Sequence, residues 1–574
     1  MTTNQTSAIV TERVDDIPLL LNQIMQMGIP DILDANFPTH SNWDGLSLGW
    51  TAAIWLVHIL SQADHRLNRV EDWVGKHIQT ISSVTGLPIR ALDFSDDRLA
   101  TILRYLSKDK PWQGYEQEQG KHIIRVYPLP TEIVRVDGTT ASNHINPTEG
   151  SIFQRGHSKD HRPDLAQVKI MLASLDPLGL PLASLVVDGN EADDPLYKPA
   201  IEQVRNILNQ EGVLYVGDCK MGASSIRASI KKAKDYYLMP LPATIAFAEV
   251  LDAYLTPVGS SRPIIEPIYR MNDNGEMQEI AQGFEIDETV SGVVDGETIS
   301  WQERRLVIRS IKHAQSQEKA LNKRLKKAKT AIADLTRSRS GYQCITTLDS
   351  FWLAVNSILK QYNVEGLLEI EANESTIKKQ RRRYRDKPAH VEIKHVLDIH
   401  VQDNDVALAA TINRLGWRVY ATNAPKEKLS TDDAVLAYRD EYIIERGFGR
   451  LKGKPLSLTP MYLLRDDHAT GLIRLLTIGL RVLTLLEFVV RSSLFRANAD
   501  IAGLYAGNPK RSTARPTAEA LLGAFSYVDL VGIEGVDGIS YNLTPLTDLQ
   551  QYILELLDFS PKIYTQLVES FFNS

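Results

Sequence analysis

The sequence TEIVRVDGTT, residues 131–140, is a short run of β-branched residues that carries an aspartate, Asp137. A second run of the same kind, GVLYVGDCK at residues 212–220, ends in Asp218. Apolar, β-branched runs of four to eight residues are typical of buried strands. Both stretches therefore predict strands of a sheet, each with a carboxylate at or near one end.

The segments around these two strands predict an α/β layer. Residues 168–189 predict two strands that turn at Pro177–Gly179, because Pro and Gly favour turns. Alternation of strands with helices is the pattern of an α/β layer. The other predicted elements are strands at 123–129, 236–240 and 416–424 and helices at 199–210, 224–233, 301–337, 431–451 and 468–495.

The chain of 574 residues is long enough for several domains. Apolar residues recur at helical spacing before residue 122, and the alternation of strands and helices stops between about 245 and 405. We therefore expect a multidomain α/β protein. Its predicted parts are a helical N-terminal domain (1–122), an α/β core in two halves (123–244 and 406–497), a basic insertion (245–405) and a C-terminal helical region (498–574).

Charge is distributed unevenly along the chain. The net charge is −7, but residues 304–387 contain 20 Lys and Arg against 8 Asp and Glu. Two runs concentrate this charge, KRLKKAK at 323–329 and KKQRRRYR at 378–385, the latter with Arg381, Arg382 and Arg383. Each run could be a solvated surface, or it could bind phosphates. The balance excludes a uniformly basic nucleic-acid coat protein.

Three further features bear on location. The chain has two cysteines, which excludes a disulfide scaffold and fits a reducing cytoplasm. The N-terminus has no pattern of a signal peptide. The apolar segment 472–495 contains four charged residues, which favours a core helix over a membrane span. We therefore expect a cytoplasmic protein with no membrane role, bound to the nucleoid when it binds DNA.

Three carboxylates form a candidate metal site. Asp137 and Asp218 lie at predicted strand ends, and Glu445 lies within a predicted helix. Oxygen ligands of this kind suit Mg²⁺ or Mn²⁺, and two such ions can catalyse phosphoryl transfer. Taken singly, Asp137 could belong to an Asp-Gly turn, Asp218 could cap a helix, and Glu445 could be solvated. Only the ordered set of strand Asp, strand Asp and helix Glu favours the joint site.

The helix that carries Glu445 also presents other polar residues. Tyr438, Glu441, Glu445, Phe448 and Lys452 are spaced three or four residues apart, which predicts one helical face. On this face Lys452 could contact a phosphate and Tyr438 could pack on a sugar or phosphate. The alternative is a solvated surface ladder. No Walker or dinucleotide-binding motif is present, so we expect no nucleotide cofactor.

These residues resemble those of the DDE transposases of bacterial insertion sequences, in the branch with a large insertion and the signature Tyr-x2-Arg-x3-Glu-x6-Lys. Tyr438, Glu445 and Lys452 stand at the spacing of that signature, whereas Glu441 occupies the arginine position. The segments RGHSKDHRPDLAQVKIML (155–172) and NPKRSTARPTAEALL (508–522) also resemble this branch. The resemblance covers most of residues 130–245 and 415–525.

The resemblance implies an RNase H-like core, a mixed sheet flanked by helices and interrupted by a mainly β insertion domain. It implies that Asp137, Asp218 and Glu445 are the catalytic acids and hold two Mg²⁺ or Mn²⁺ ions. The partners would be double-stranded DNA, at transposon ends and target, and a second copy of the chain. The expected DNA contacts are Tyr438, Lys452, Arg450, Lys159, Arg162, Arg381, Arg382 and Arg383.

The expected reaction is metal-dependent cleavage at transposon ends followed by strand transfer into target DNA. Two alternatives remain open at this point. One is an RNase H-like nuclease that cuts without joining, and the other is a catalytically inactive, domesticated DNA-binding protein. A phosphatase with an aspartate nucleophile fits less well, because such sites need a second acid where Thr139 stands.

Overall fold

The computed structural model describes residues 9–242, 245–255, 264–272, 275–337, 344–382, 390–535 and 538–569. The chain forms two compact units. Unit 1 contains residues 1–239, 289–301 and 434–574, and unit 2 contains residues 240–288 and 302–433. The five-part division expected from the sequence remains a prediction, since compactness alone does not separate the N-terminal helices from the core.

The strands are β1 (Ile9–Arg13), β2 (Ile133–Asn143), β3 (Ala166–Leu175), β4 (Leu180–Asp188), β5 (Leu214–Gly217), β6 (Tyr236–Pro240), β7 (Glu266–Met271), β8 (Met277–Val294), β9 (Glu297–Ser310), β10 (Leu368–Arg381), β11 (His390–Asp403), β12 (Trp417–Thr422), β13 (Ile501–Ala502), β14 (Ser512–Thr513), β15 (Asp529–Gly535) and β16 (Gly538–Leu543).

The α-helices are α1 (Ile17–Gln26), α2 (Ile29–Asn36), α3 (Leu48–Gln62), α4 (Val70–Gly75), α5 (Ile78–Thr85), α6 (Asp96–Leu106), α7 (Asp109–Val126), α8 (Asp194–Leu208), α9 (Ser224–Lys232), α10 (Ile245–Leu255), α11 (Ile311–Asp334), α12 (Leu348–Tyr362), α13 (Asp405–Asn413), α14 (Thr431–Arg439), α15 (Tyr442–Lys452), α16 (Asp466–Ala497), α17 (Ala518–Gly523), α18 (Asp548–Leu556) and α19 (Lys562–Glu569).

The central sheet of unit 1 has the strand order β4-β3-β2-β5-β6. β2 pairs antiparallel with β3, and β3 with β4, whereas β2, β5 and β6 run parallel. The turn between β3 and β4 contains Gly179 with φ +73°, a conformation that glycine adopts without strain. This order is the RNase H-like arrangement that the resemblance implied, and the fold class is confirmed.

Helices cover the sheet and supply most of the core of unit 1. α7 and α8 pack on β4, and α16 packs on both β4 and α6. The segment expected as an apolar core helix is α16, whose side chains are buried from Ala469 to Glu487 with few exceptions. No helix in the described ranges is long and apolar enough to cross a membrane.

Local corrections concern three segments. Residues 123–126, expected in a strand, are the last turn of α7, because Ile123 packs inside as part of that helix. The expected helix at 301–337 starts only at Ile311, since residues 304–309 are strand residues paired with β12. The expected helix at 431–451 is two helices, α14 and α15. The C-terminal region also contains strands, of which β15 pairs with β1 and β16.

In its described residues, unit 2 combines strands with four helices, α10 to α13. Its strands form the order β12-β9-β8-β7, and β10 and β11 form a separate antiparallel ribbon. A hydrophobic cluster that includes Leu325, Phe351 and Leu368 joins α11 and α12 to the base of this ribbon. Trp301 belongs to unit 1, where it is buried and donates a hydrogen bond from Nε1 to Tyr237 Oη at 2.7 Å.

Candidate active site

The two aspartates are brought together by parallel pairing of β2 and β5. In the register of this pair Val136 lies beside Gly217, so the residues that follow are Asp137 and Asp218. Asp137 continues β2, and Asp218 stands directly after the last residue of β5. Two carboxylates from sequence positions 81 residues apart therefore lie at the carboxyl end of the same pair of strands.

Glu445 reaches the same place from α15, which packs against β2 and α16. A cavity of about 450 Å³ opens at this point. The residues that line it are Asp137, Gly138, Thr139, Lys159, Asp218, Glu441, Glu445, Phe448, Gly449 and Lys452. The three predicted acids thus share one cavity, together with the predicted contacts Lys159 and Lys452.

Hydrogen bonds hold both aspartates in place. Asp137 Oδ1 accepts from the Gly138 backbone N–H at 2.7 Å and from Lys159 Nζ at 3.1 Å. Asp218 Oδ1 accepts from Tyr197 Oη at 2.6 Å and from the Lys220 backbone N–H at 2.8 Å. The loop between β2 and β3 therefore supplies a cation to one aspartate, and α8 supplies a hydroxyl to the other.

Negative charge accumulates in the cavity. Burial raises the pKa of Asp137, and the carboxylate of Asp218 raises it further against the opposing ammonium of Lys159. Burial also raises the pKa of Glu441, with added contributions from Asp137, Glu445 and Asp218. Repulsion of this kind disfavours ionisation of Asp137 and Glu441 and favours any cation that enters the cavity.

The donor chemistry of the cavity fits a hard divalent cation. Four carboxylates supply only oxygen ligands, the type that Mg²⁺ and Mn²⁺ prefer. Within the described part of the chain, however, no three Asp, Glu, His or Cys side chains are grouped closely enough to hold a metal ion together. Asp137 is instead paired with Lys159. The charge and the ligand type of the cavity therefore fit a divalent ion, but this aspartate is bound to a lysine.

The other predicted contacts fall into two groups. Tyr438 lines a small cavity of about 20 Å³ that also reaches Asp137, Asp218 and Glu441. Lys452 faces the main cavity, where its Nζ donates to Asp160 Oδ1 at 2.5 Å. Both residues thus line cavities beside the acids, although they stand on two separate helices, α14 and α15, rather than on the one helical face that was expected.

The remaining predicted contacts lie elsewhere. Arg162 is exposed and pairs with Asp164 at 2.7 Å. Arg381 ends β10 in unit 2, and Arg382 follows it; both are exposed. Arg383 lies outside the described residues.

Arg450 requires a correction. Its side chain is buried, forms an ion pair with Glu487, and pairs through Nε with Glu519 Oε1 at 2.9 Å. A guanidinium held by two carboxylates inside the protein is not available to a phosphate. The reason is the orientation of α15, which turns Arg450 towards α16 and away from the cavity.

Sequence reasoning did not find several residues of the site. The sequence analysis placed Glu441 on the helical face of Glu445 and noted its departure from the signature, but did not name it as an acid of the site, where it adds a fourth carboxylate to the cavity. Tyr197 and Asp160 were not singled out, although they bind Asp218 and Lys452 respectively. Their positions along the chain carry no motif, because each reaches the site through a separate loop or helix.

Comparison with known proteins identifies the family. Residues 128–480, more than half of the chain, match the family described as the transposase DDE domain. The chain belongs to this family. As a DDE transposase it is an enzyme of DNA transposition, in agreement with the resemblance seen in the sequence. The match spans both aspartates, Glu445 and the intervening insertion.

Searches beyond the family add little. No curated protein matches the chain. Among solved structures it is similar to a cryo-EM structure of a piggyBac transposase synaptic complex with hairpin DNA, at 8% identity and a TM-score of 0.29, over 99% of this chain and 87% of that one. A similarity this low carries no structural or functional conclusion.

Proposed function

We propose that this DDE transposase cuts phosphodiester bonds at the ends of a mobile DNA element and joins the freed 3′ ends to target DNA. The observation that carries the proposal is the meeting of Asp137, Asp218 and Glu445, from three separate segments, at one cavity of about 450 Å³. An acidic cavity edged by two lysines suits a reaction at a phosphate, because the acids would hold cations that stabilise its charge and the lysines would contact its oxygens.

In this proposal Asp137, Asp218 and Glu445 hold two divalent ions, Mg²⁺ or Mn²⁺. Bound ions of this kind activate an attacking hydroxyl and stabilise the leaving oxygen of a phosphodiester. Tyr197 keeps Asp218 in place through its hydroxyl. Lys159 pairs with Asp137, and Lys452 pairs with Asp160. When DNA enters, either ammonium can exchange its carboxylate partner for a phosphate oxygen.

The proposed partners are double-stranded DNA and a second copy of the chain. Two element ends need two active sites, which favours a dimer assembled on DNA. Arg162, Arg381 and Arg382 are exposed and remain proposed DNA contacts. We also keep Tyr438 in that set, because its ring lies next to the acids.

The first test is a cleavage assay. Purified protein is incubated with a duplex that carries the ends of its own element and with Mg²⁺ or Mn²⁺. We expect wild-type protein to cut at the end, and Asp137→Asn, Asp218→Asn and Glu445→Gln each to lose about 100-fold or more in rate because an ion ligand is missing. DNA binding by the variants, measured without divalent ions, is expected to persist.

The matched control is Glu202→Gln, which removes the same charge from an exposed position on α8. It should cut like wild type. Full activity in any triad variant would remove that residue from the site. Cleavage without any joined product, when target DNA is supplied, would favour the nuclease that does not join.

A further inference from the structure

A second cavity in unit 1 borders a different face of α15 from the one that carries Glu445. It measures about 540 Å³ and lies between α15, the C-terminal half of α16, the turn Pro177–Leu178 and residues 514–515. We refer to it as the arginine groove. The arginines that line it are Arg446, Arg491, Arg496 and Arg515.

Positive charge in the arginine groove exceeds what its carboxylates can neutralise. Glu487 is buried and accepts from Arg446 at 2.5 Å and from Arg491 at 2.7 Å. The same carboxylate also pairs with Arg450. One carboxylate shared by three guanidiniums leaves an excess of positive charge, and the remaining acids at the groove and behind it are Asp440 and Glu519.

The electrostatics at Arg491 agree with this excess. Burial lowers its pKa, and the neighbouring charges of Arg446, Arg450 and Arg515 lower it further against the opposing effect of Glu487. Repulsion among fixed guanidiniums is relieved when an anion binds between them. The residues of the groove therefore leave positive charge that is not neutralised by its own carboxylates.

Two arginines at the rim have no acidic partner among the described residues. Arg496 donates only to Ser492 O and to Ser493 Oγ, at 3.3 and 3.2 Å. Arg515 is exposed, and its guanidinium forms no ion pair with any residue in the described part of the chain. A guanidinium without a carboxylate partner presents its planar N–H donors to solvent. The geometry of these donors suits hydrogen bonds to phosphate oxygens.

Exposed aromatic rings lie among these charges. Phe495 is 86% exposed and Tyr442 is 53% exposed, and both line the arginine groove. An apolar ring left in solvent beside unpaired guanidiniums is a combination found where proteins bind nucleic acids. A single small anion would leave the rings uncovered, whereas a nucleic-acid strand covers both kinds of group.

We propose that the arginine groove binds the sugar-phosphate backbone of duplex DNA, with Arg496 and Arg515 as its phosphate contacts. This inference rests on the proposed function, because it places the DNA beside the helix that carries Glu445. Arg446 and Arg491 stay paired with Glu487 and shape the floor of the groove. Phe495 packs against the sugar edge of the bound strand.

The test measures duplex binding by fluorescence anisotropy at several salt concentrations, without divalent ions. We expect Arg496→Gln/Arg515→Gln to bind about tenfold more weakly near 0.1 M salt and to lower the slope of log K against log salt by about 1.8, since each lost phosphate contact lowers it by about 0.9. Arg496→Lys/Arg515→Lys should keep most of the slope, because it keeps the charge.

The control is Arg66→Gln/Lys234→Gln, which removes two exposed positive charges away from the groove. It should leave the slope close to that of wild type. If the groove variant binds with the affinity and slope of wild type, or no more weakly than the control, the inference is wrong while the proposed function stands. If wild-type protein neither binds nor cuts its element ends, the proposed function itself fails.

Discussion

Glu441 is the residue at which this chain departs most clearly from the signature it resembles. It occupies the arginine position, yet its carboxylate lines the same cavity as Asp137, Asp218 and Glu445. Replacing a cation by an acid changes the local charge by two. The cavity therefore attracts divalent ions more strongly, and repels phosphate more strongly, than one with the arginine of the signature.

This difference predicts how the metal requirement depends on Glu441. In Glu441→Gln, cleavage should need at least roughly three- to tenfold more Mn²⁺ for half-maximal rate, the effect of losing one nearby charge that is screened as strongly as in bulk water. The measurement is a titration of cleavage rate against ion concentration. Glu202→Gln serves again as the charge-matched control. An unchanged midpoint would show that Glu441 does not contribute to ion binding.

Asp16 provides a pH-dependent prediction at the scale of one residue. It is buried at the start of α1, accepts from Ser61 Oγ at 2.7 Å, and burial raises its pKa from 3.8 to about 6. Because the folded-state pKa is the higher one, its contribution to stability is fully present below about pH 4 and is lost as the pH rises through about 6.

Asp16→Asn should therefore stabilise the protein near pH 8, by up to about 3 kcal/mol, and should have little effect near pH 4. The asparagine keeps an oxygen for Ser61 but carries no buried charge. Urea unfolding at the two pH values measures the difference. Equal effects of the substitution at both values would contradict the assigned shift.

At the scale of elements, the break between α14 and α15 matters most for the site. The spacing of residues 431–451 predicts one continuous helix, but α14 ends at Arg439 and α15 begins at Tyr442. Glu441 lies at this junction, immediately before α15. The local periodicity predicts a helix on each side, and the break comes immediately before the helix that packs against β2 and α16.

The crossing of α16 over α6 depends on Gly471. A Cβ added there would lie 2.2 Å from the carbonyl oxygen of Leu103, a backbone atom that cannot move aside. Gly471→Ala should lower the free energy of unfolding by about 1–3 kcal/mol through overpacking. Gly523→Ala is the matched control, because nothing lies within 4 Å of its added Cβ. Thermal unfolding of both variants distinguishes a clash from a general effect of alanine.

At the scale of the whole molecule, a buried ion pair joins distant parts of unit 1. Arg481 of α16 pairs with Glu116 of α7 at 2.6 Å and also donates to the carbonyl oxygens of Pro181 and Leu182 in β4. Both charged side chains are almost completely buried. Helices that precede and follow the core sheet are thus fixed to the same edge strand.

Removing only the arginine of this pair should lower the free energy of unfolding more than removing both charges. Arg481→Met leaves the carboxylate of Glu116 buried without a cation, at a cost of roughly 3–5 kcal/mol. Adding Glu116→Gln should recover part of that loss, since the remaining group is neutral and still bonds to Ser184. Denaturant unfolding of both single variants and the double variant gives the coupling energy. A double variant less stable than Arg481→Met would contradict this account.

The local sequence was sufficient for the strands of the core sheet and for their order along the chain. β3, β4, β5 and β6 lie where their apolar runs predicted them, because a strand buried on both faces needs such a run. The runs of β2 and β5 carry the two aspartates, Asp137 inside β2 and Asp218 directly after β5. These acids, Glu445 and the family could therefore be named before any coordinates were known.

Only the tertiary structure decided which charges meet. Arg450 pairs with Glu487 and Glu519, Lys452 with Asp160, and Arg481 with Glu116. These partners are 37 to 365 residues apart, and periodicity reports only neighbours within a few turns. The same limit explains the strand pair of β1 and β15 at opposite ends of the chain. Short-range sequence patterns predict whether a segment is a helix or a strand. The partners in ion pairs and in strand pairs depend on long-range packing, which those patterns do not predict.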